Sequence, residues 1–177
     1  MNKALFLDRD GVINVDFGYV HKVEDFTFKE GIFQLVRQAN ESGYLVIVVT
    51  NQAGIARGYF TVDQFHLLTK WMCDQFLKNN CLITEVYFSP YHPSEGIGEY
   101  KLETNCRKPA PGMLLNAIAD WGLCASSSIL VGDKETDIEA GINSGLGKTI
   151  LLAEGGFQPP SQASAVVRDL GQVHEYL

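Results

Sequence analysis

Short apolar runs recur along the chain and alternate with stretches of helical character. The runs at 3–7 and 44–50 predict buried strands, because strands covered on both faces lack a polar alternation. Three further strands are predicted at 84–89, 127–133 and 148–152. The stretches between them carry helical spacing or capping signals and predict helices at 31–43, 61–78, 113–121 and 135–145. After a Gly-, Pro- and Ser-rich segment at 154–164, a last strand and a last helix are predicted before Leu177.

This alternation predicts an α/β fold built on a doubly wound, mostly parallel sheet. The length of 177 residues suits one domain with its own core, so we expect a single domain over 1–177. No segment is long enough for a separate cap domain, and we expect the loop after the third strand to roof the site. Ligands of such sheets bind beyond the carboxyl ends of the strands, where functional side chains are therefore expected.

Acidic and hydroxyl side chains do follow three of the predicted strands. In chain order they are Asp8 and Asp10, then Thr50 and Asn51, then Asp133 with Asp137 four residues on. The basic pair Arg107 and Lys108 lies on the loop that precedes the helix at 113–121. Two aspartates one residue apart repel each other unless a cation or a reacting group lies between them.

Composition narrows the kind of ligand. Hydrophobic content of 46% and charged content of 20% are typical of a globular protein, and a net charge of −7 argues against binding nucleic acid or anionic membranes. The first apolar run is too short for a signal peptide, and no run has the length of a membrane span. The four cysteines form no C-x-x-C pair. We therefore expect a cytoplasmic protein with a small soluble ligand.

The strand-end residues predict phosphoryl transfer. Carboxylates grouped without histidine or cysteine favour Mg²⁺ over zinc, and Mg²⁺ usually shares its site with a phosphate. Arg107, Lys108 and Thr50 can surround the phosphoryl group and stabilise its charge. Asp8 is then the candidate nucleophile, which would form an aspartyl phosphate, and Asp10 the candidate general acid and base.

Four motifs, in order along the chain, resemble those of a known superfamily. They are FLDRDGVIN from residue 6, VVTNQAGIARG from 48, CRKPAPGM from 106 and GDKETDIEAG from 132. They look like the motifs of the haloacid-dehalogenase-like (HAD-like) phosphatases, and most of all like the branch of heptose 1,7-bisphosphate 7-phosphatases and histidinol-phosphate phosphatases. The resemblance covers about 3–152 and implies a HAD-like, Rossmannoid fold and a monomer.

The resemblance also implies roles for single residues. Asp8 would be the nucleophile and Asp10 the general acid and base, while Mg²⁺ would be held by Asp8, the main-chain carbonyl of Asp10, and Asp133. Thr50 and Lys108 would stabilise the phosphoryl group, and Arg107 would contribute to substrate recognition. The positions that match the family's substrate-binding segments are Asp16, Phe17, Gly18, Tyr19, Thr50, Asn51, Gln52, Ala53, Arg107, Lys108 and Lys134.

The expected substrate is a small phosphorylated sugar. The segments DFGYVH and TNQAGIARGYF look more like the heptose branch, which favours hydrolysis of the C7 phosphate of D-glycero-D-manno-heptose 1,7-bisphosphate. Histidinol phosphate, or a broader set of small phosphate esters, is the alternative. No pattern in the sequence indicates which anomer at C1 is preferred.

One departure from the branch concerns a structural zinc in the loop before the R-K-P motif. The positions that match its four ligands are Ser89, Tyr91, Thr104 and Cys106. Only Cys106 could bind zinc, His92 lies one residue out of phase, and a tetrahedral site needs four ligands. The sequence therefore predicts a loop without bound zinc.

Two other classes of protein could carry some of the same residues. A response-regulator receiver would have its phosphorylated aspartate after the third strand, where this chain reads FSPYHP. A phosphosugar-binding protein without activity would lack one or more of the expected catalytic residues, and this chain has all of them. Asp137 is either a first-turn helix residue or an orienting residue near Lys134 or the metal. Arg9 and Arg57 are expected to be solvated or to order loops.

Overall fold

One parallel sheet organises the protein. The computed structural model describes residues 2–156 and 160–177, and its six strands lie in the order β3-β2-β1-β4-β5-β6. The strands are β1 (Lys3–Leu7), β2 (Tyr44–Asn51), β3 (Glu85–Ser89), β4 (Ile129–Gly132), β5 (Lys148–Leu152) and β6 (Ala165–Val167). All five neighbouring pairs are parallel, which confirms the predicted doubly wound α/β fold.

Helices follow the strands as the apolar spacing predicts. Within the described residues they are α1 (Ile32–Glu41), α2 (Ala53–Ala56), α3 (Val62–Lys78), α4 (Gly112–Trp121) and α5 (Glu135–Asn143). Short 3₁₀ helices lie at Val23–Asp25, Gly98–Tyr100, Ala125–Ser127, Glu154–Gly156 and Leu170–Tyr176. The predicted capping box at the start of α3 is present, because Thr61 and Gln64 exchange side-chain to backbone hydrogen bonds.

Two predicted details of the chain differ from the structure. The last helix is a 3₁₀ helix, since seven residues with Gly171 near the start are too few to sustain an α-helix. The four-residue helix α2 was not predicted, because it is too short to show a period. Part of the predicted segment 154–164, namely 157–159, lies outside the described residues.

The core lies on both faces of the sheet. Alternate residues of β1 and β2, such as Leu5 and Val46, pack under α1 and α3. The residues between them, such as Phe6 and Ile47, pack under α4. Strands buried on both faces need apolar residues at every position, which explains the continuous apolar runs in the sequence.

The strand order decides where the polar strand ends meet. Strand β1 lies between β2 and β4, and Leu7 is in register with both Val48 and Val131. The carboxyl ends of three central strands therefore lie side by side, which is the edge where ligands of such sheets bind. No helix in the described part of the chain is long and apolar enough to cross a membrane.

Candidate active site

Three carboxylates meet at this edge of the sheet. One oxygen each from Asp8, Asp133 and Asp137 lies within 4.8 Å of the others. Asp8 continues the pairing of β1 with β4, since its N–H donates to the carbonyl of Val131 at 3.0 Å. Gly11 permits the approach of Asp133: its φ is +92°, and a Cβ there would lie 2.2 Å from Asp133 Oδ2.

Lys108 is the cation at the centre of this cluster. Its buried ammonium lies 3.0 Å from Asp8 Oδ1 and 2.6 Å from Asp137 Oδ1, and it donates to the carbonyl of Val49 at 2.8 Å. Asn51 holds the loop in place, because its side-chain amide both donates to the carbonyl of Lys108 and accepts from its N–H, each at 3.0 Å. The predicted strand-end residues thus place the ammonium between two carboxylates.

The electrostatics of the cluster are those of a crowded acidic site. Burial raises the pKa of Asp8 to about 7, although the nearby ammonium of Lys108 opposes the shift. Burial likewise raises the pKa of Asp133 to about 6 against the opposing charge of Lys134. For Lys108, burial works to lower the pKa, but the carboxylates of Asp8 and Asp137 together raise it. When Asp8, Asp133 and Asp137 are all ionised, their combined negative charge exceeds the single positive charge of Lys108.

The donor set fits a hard divalent cation, and the hydrogen bonds indicate which carboxylates are available to it. Both oxygens of Asp137 are engaged, Oδ1 with Lys108 and Oδ2 with the N–H of Lys134 at 3.0 Å. In contrast, Asp133 Oδ1 is buried and has no hydrogen-bond partner among the described residues. A buried acceptor without a partner is unfavourable, and a cation would satisfy it.

Asp10 has a different environment from its neighbour Asp8. Its carboxylate accepts hydrogen bonds from the side chains of Arg9, Asn14 and Gln52. It is 18% exposed and lines the cleft above the carboxylate cluster. Asp10 is therefore oriented by neutral and basic donors, whereas Asp8 lies among other carboxylates.

The cleft above the cluster has a volume of about 490 Å³. Among the residues predicted to bind substrate, those that line it are Asp16, Gly18, Tyr19, Asn51, Gln52, Ala53, Arg107, Lys108 and Lys134. Thr50 is buried behind them and accepts a hydrogen bond from Gln52 Nε2 at 2.8 Å. Phe17 is 67% exposed and lines a neighbouring groove instead of this cleft.

Two basic side chains, Arg107 and Lys134, line the cleft. Lys134 is 56% exposed and contacts Asp16 Oδ2 at 3.4 Å, which joins the start of α5 to the loop after β1. Arg107 donates to the carbonyl of Tyr91 at 3.2 Å, and burial together with the nearby charge of Arg57 lowers its pKa. Arg57 itself pairs with Glu95 at 3.3 Å, as expected of a residue that orders a loop.

The positions that match zinc ligands also lie together. Cys106 donates to Ser89 Oγ at 3.2 Å and accepts from Thr104 Oγ1 at 3.3 Å. Tyr91 is joined to this loop through its carbonyl, which accepts from Arg107. Neutral hydrogen bonds connect three of the four positions, and the prediction that no zinc is bound here stays a prediction.

Sequence reasoning missed three features of the site. Arg9, expected to be solvated or to order a loop, does hold the loop at Val20 but is buried and also pairs with Asp10. Asn14 is a further buried donor to Asp10, and Asp137 is the ion-pair partner of Lys108. For Arg9, a signal was present in its position between the two aspartates. For Asn14 and Asp137, the partners depend on the path of the loops and could not be read from spacing alone.

Comparison with known proteins finds relatives that align with nearly the whole chain. A HAD-hydrolase-like family model matches residues 105–173. The D-glycero-alpha-D-manno-heptose-1,7-bisphosphate 7-phosphatase of Burkholderia mallei is 51% identical over 177 residues, which cover 99% of this chain and 94% of that protein. The D-glycero-beta-D-manno-heptose-1,7-bisphosphate 7-phosphatase of Haemophilus influenzae is 46% identical over 155 residues, 88% of this chain and 84% of that protein.

A solved structure extends the comparison to three dimensions. The D,D-heptose 1,7-bisphosphate phosphatase of B. bronchiseptica, complexed with magnesium and phosphate, matches with a TM-score of 0.82 and 26% identity over 98% of this chain and 96% of that one. Together, these relatives show that the protein is a hydrolase of phosphoric monoesters. The chain belongs to the HAD-like phosphatases, in the branch that contains the heptose-1,7-bisphosphate 7-phosphatases.

Proposed function

We propose that this protein removes the C7 phosphate of D-glycero-D-manno-heptose 1,7-bisphosphate through an aspartyl-phosphate intermediate in a Mg²⁺-dependent reaction. The names of its relatives support the substrate. The observation that carries the mechanism is the position of Lys108, whose ammonium lies 3.0 Å from Asp8 at the buried end of the cleft. An ammonium at that point can stabilise the negative charge of a phosphoryl group beside the nucleophile.

In the first half of the reaction, a carboxylate oxygen of Asp8 attacks the phosphorus and forms an acyl phosphate. The bond between phosphorus and the C7 oxygen breaks, and Asp10 gives that oxygen a proton so that it leaves as an alcohol. Arg107 and Lys134, on the walls of the cleft, hold the rest of the substrate by its charges and hydroxyls. Thr50 orients Gln52 from behind.

In the second half, a water molecule attacks the phosphorus and gives its proton to Asp10. The bond between phosphorus and Asp8 breaks, inorganic phosphate leaves, and both aspartates return to their starting states. Asp8, the carbonyl of Asp10, and Asp133 would hold Mg²⁺, which, when bound, neutralises the carboxylates and the phosphate charge. Asp137 has both oxygens engaged and acts instead on Lys108.

The first experiment is a phosphate-release assay on both C1 anomers of heptose 1,7-bisphosphate and on histidinol phosphate, each with and without Mg²⁺. We expect Mg²⁺-dependent release from the heptose. Relatives of similar identity are named for the alpha and for the beta anomer, so the ratio of the two rates would assign the anomer. Faster release from histidinol phosphate would leave the mechanism in place and overturn the substrate.

The variant Asp8→Asn distinguishes an enzyme from a protein that only binds the substrate. Asp8→Asn should lose turnover and still bind the heptose bisphosphate in a calorimetric titration. Turnover at the wild-type rate in Asp8→Asn would overturn the aspartyl-phosphate mechanism.

A further inference from the structure

Arg9 is an unusual residue for a protein interior. It is 1% exposed and is the bulkiest of the fully buried side chains among the described residues. Arginine is almost never buried completely unless it is paired. The proposed reaction gives Arg9 no role, and its neighbours show what it holds.

The guanidinium of Arg9 contacts both oxygens of Asp10. Nε donates to Oδ2 at 3.1 Å, and Nη2 donates to Oδ1 at 2.9 Å, so the two planar groups face each other edge to edge. A two-point contact of this kind fixes the orientation of a carboxylate as well as its position. Asn14 and Gln52 also donate to Asp10, but each makes a single contact with one oxygen.

The same guanidinium also holds the loop after β1. Nη2 donates to the carbonyl of Val20 at 2.7 Å, at the end of a segment whose Asp16, Gly18 and Tyr19 line the cleft. One nitrogen therefore joins the carboxylate of Asp10 to the segment that forms a wall of the substrate cleft.

Stability alone is a weak reason for this arrangement. Nη1 of Arg9 is buried and has no hydrogen-bond partner among the described residues. A buried ion pair with an unsatisfied donor is commonly no more stable than apolar side chains of similar size. What such a pair does supply is a fixed geometry, which an acid and base catalyst needs.

We propose that Arg9 is a positioning residue for Asp10: it holds the carboxylate in the orientation needed for proton transfer at the cleft and couples that orientation to the segment 16–20. This inference rests on the proposed role of Asp10 as general acid. It predicts that, in the steps up to the departure of the leaving group, Arg9 acts through the proton given to the leaving oxygen and has little effect when that oxygen needs no proton.

The test compares two substrates that differ in their leaving group. A sugar alcohol leaves poorly without a proton, whereas the phenolate of p-nitrophenyl phosphate leaves well without one. The quantity to compare is kcat/KM, which covers the steps up to the departure of the leaving group. For Asp10→Asn and for Arg9→Lys we expect kcat/KM on the heptose bisphosphate to fall by at least about 100-fold and about 10-fold respectively, and by less than about 3-fold on p-nitrophenyl phosphate.

The control is Arg37→Lys. Arg37 also donates through Nη2 to a backbone carbonyl, that of Asn79 at 2.7 Å, and lies outside the cleft. This variant should keep kcat/KM on both substrates. If Arg9→Lys lowers kcat/KM equally on both substrates, or on neither, the positioning role is overturned. If Asp10→Asn itself shows no dependence on the leaving group, the acid role of Asp10 fails and the inference about Arg9 falls with it.

A double variant keeps the test valid if Arg9→Lys does not fold. Arg9→Met with Asp10→Asn removes both charges together and leaves no unpaired ion in the core. Because Arg9 acts only through Asp10 in this proposal, the double variant should match Asp10→Asn in kcat/KM on p-nitrophenyl phosphate. A further loss of more than about 3-fold would show that Arg9 acts by another route and would overturn the proposal.

Discussion

Two polar clusters lie at the same edge of the sheet and differ in how they satisfy their buried groups. The carboxylate cluster of Asp8, Asp133 and Asp137 gathers charge around Lys108, and Asp133 Oδ1 has no hydrogen-bond partner within 2–156 and 160–177. The loop cluster of Ser89, Thr104 and Cys106 is a chain of neutral hydrogen bonds.

The difference separates a site that needs a ligand from one that does not. Burial and mutual repulsion make the carboxylate cluster unfavourable by itself, as the raised pKa values of Asp8 and Asp133 indicate. The hydroxyl and thiol groups of the loop cluster hydrogen-bond to one another, so this cluster is satisfied by its own members. We therefore expect the first cluster to respond strongly to substitution and metal, and the second weakly.

The largest effect is expected from Asp8→Asn. The amide cannot attack phosphorus, so phosphate release should fall by at least about a thousandfold. The substitution also removes a carboxylate from a crowded site, and the melting temperature of the metal-free protein should therefore not fall appreciably. Steady-state kinetics and thermal unfolding of the same preparation would check both statements; a large loss of stability would indicate a structural role instead.

A smaller loss is expected from Asp137→Asn. This change removes one of the two carboxylates that hold Lys108 and leaves the ammonium less well oriented beside Asp8. We expect kcat to fall by about 10²-fold, in the range of a lost transition-state donor. Glu139→Gln, on the same helix but outside the cluster, is the matched control and should keep its rate. Equal effects of the two substitutions would contradict the assigned partner of Lys108.

The effect of Mg²⁺ on stability should depend on pH. The folded protein binds protons at Asp8 and Asp133 more tightly than the unfolded chain, because their pKa values rise from 3.8 to about 7 and about 6. Their contribution to the stability of the metal-free protein is therefore present in full below about pH 4 and is lost as the pH rises towards 7. Mg²⁺ binds the ionised carboxylates, so its gain in melting temperature should be larger at the upper end of this range than at the lower.

Thermal unfolding across this pH range, with and without Mg²⁺, gives the comparison. If the gain in melting temperature is equal at both ends of the range, or larger at the acidic end, Mg²⁺ does not bind at Asp8 and Asp133.

The smallest effect is expected from the loop cluster. Cys106→Ser keeps a donor and an acceptor at the same position, so activity should stay within about 2-fold and the melting temperature should shift little. Treatment with a chelator selective for zinc should leave both unchanged. Elemental analysis that finds one zinc per chain in the purified protein would contradict the predicted zinc-free loop.

Much of the fold followed from local patterns that need no knowledge of distant residues. The continuous apolar runs predicted β1 and β2, because a strand buried on both faces has apolar residues at nearly every position. The edge strand β3 is only partly buried and carries the exposed Glu85, so its sequence shows a weaker signal. The residues at 8, 50 and 133 were predicted to meet because carboxyl ends of parallel strands share one edge. For the same reason the class of chemistry could be stated from the residues alone, before any contact was known.

The contacts within the site were decided by the tertiary structure. The sequence left Asp137 as a first-turn helix residue or an orienting residue near Lys134 or the metal. It lies in the first turn and accepts from the N–H of Lys134, and the packing of α5 against β4 also places it at Lys108. Phe17 matches a substrate segment in sequence, yet the turn it belongs to leaves it outside the cleft.

Arg9 shows most clearly where sequence reasoning stops. An arginine at this position of the sequence is compatible with a solvated side chain. In the structure Arg9 is buried, because the loop that follows β1 folds back and places the carbonyl of Val20 against its guanidinium. The sequence by itself determined the elements, their order and the chemical types at the strand ends, since these depend on local spacing and general rules of topology. Only the tertiary structure decided which charged group pairs with which, since that depends on where loops of irregular conformation place each side chain.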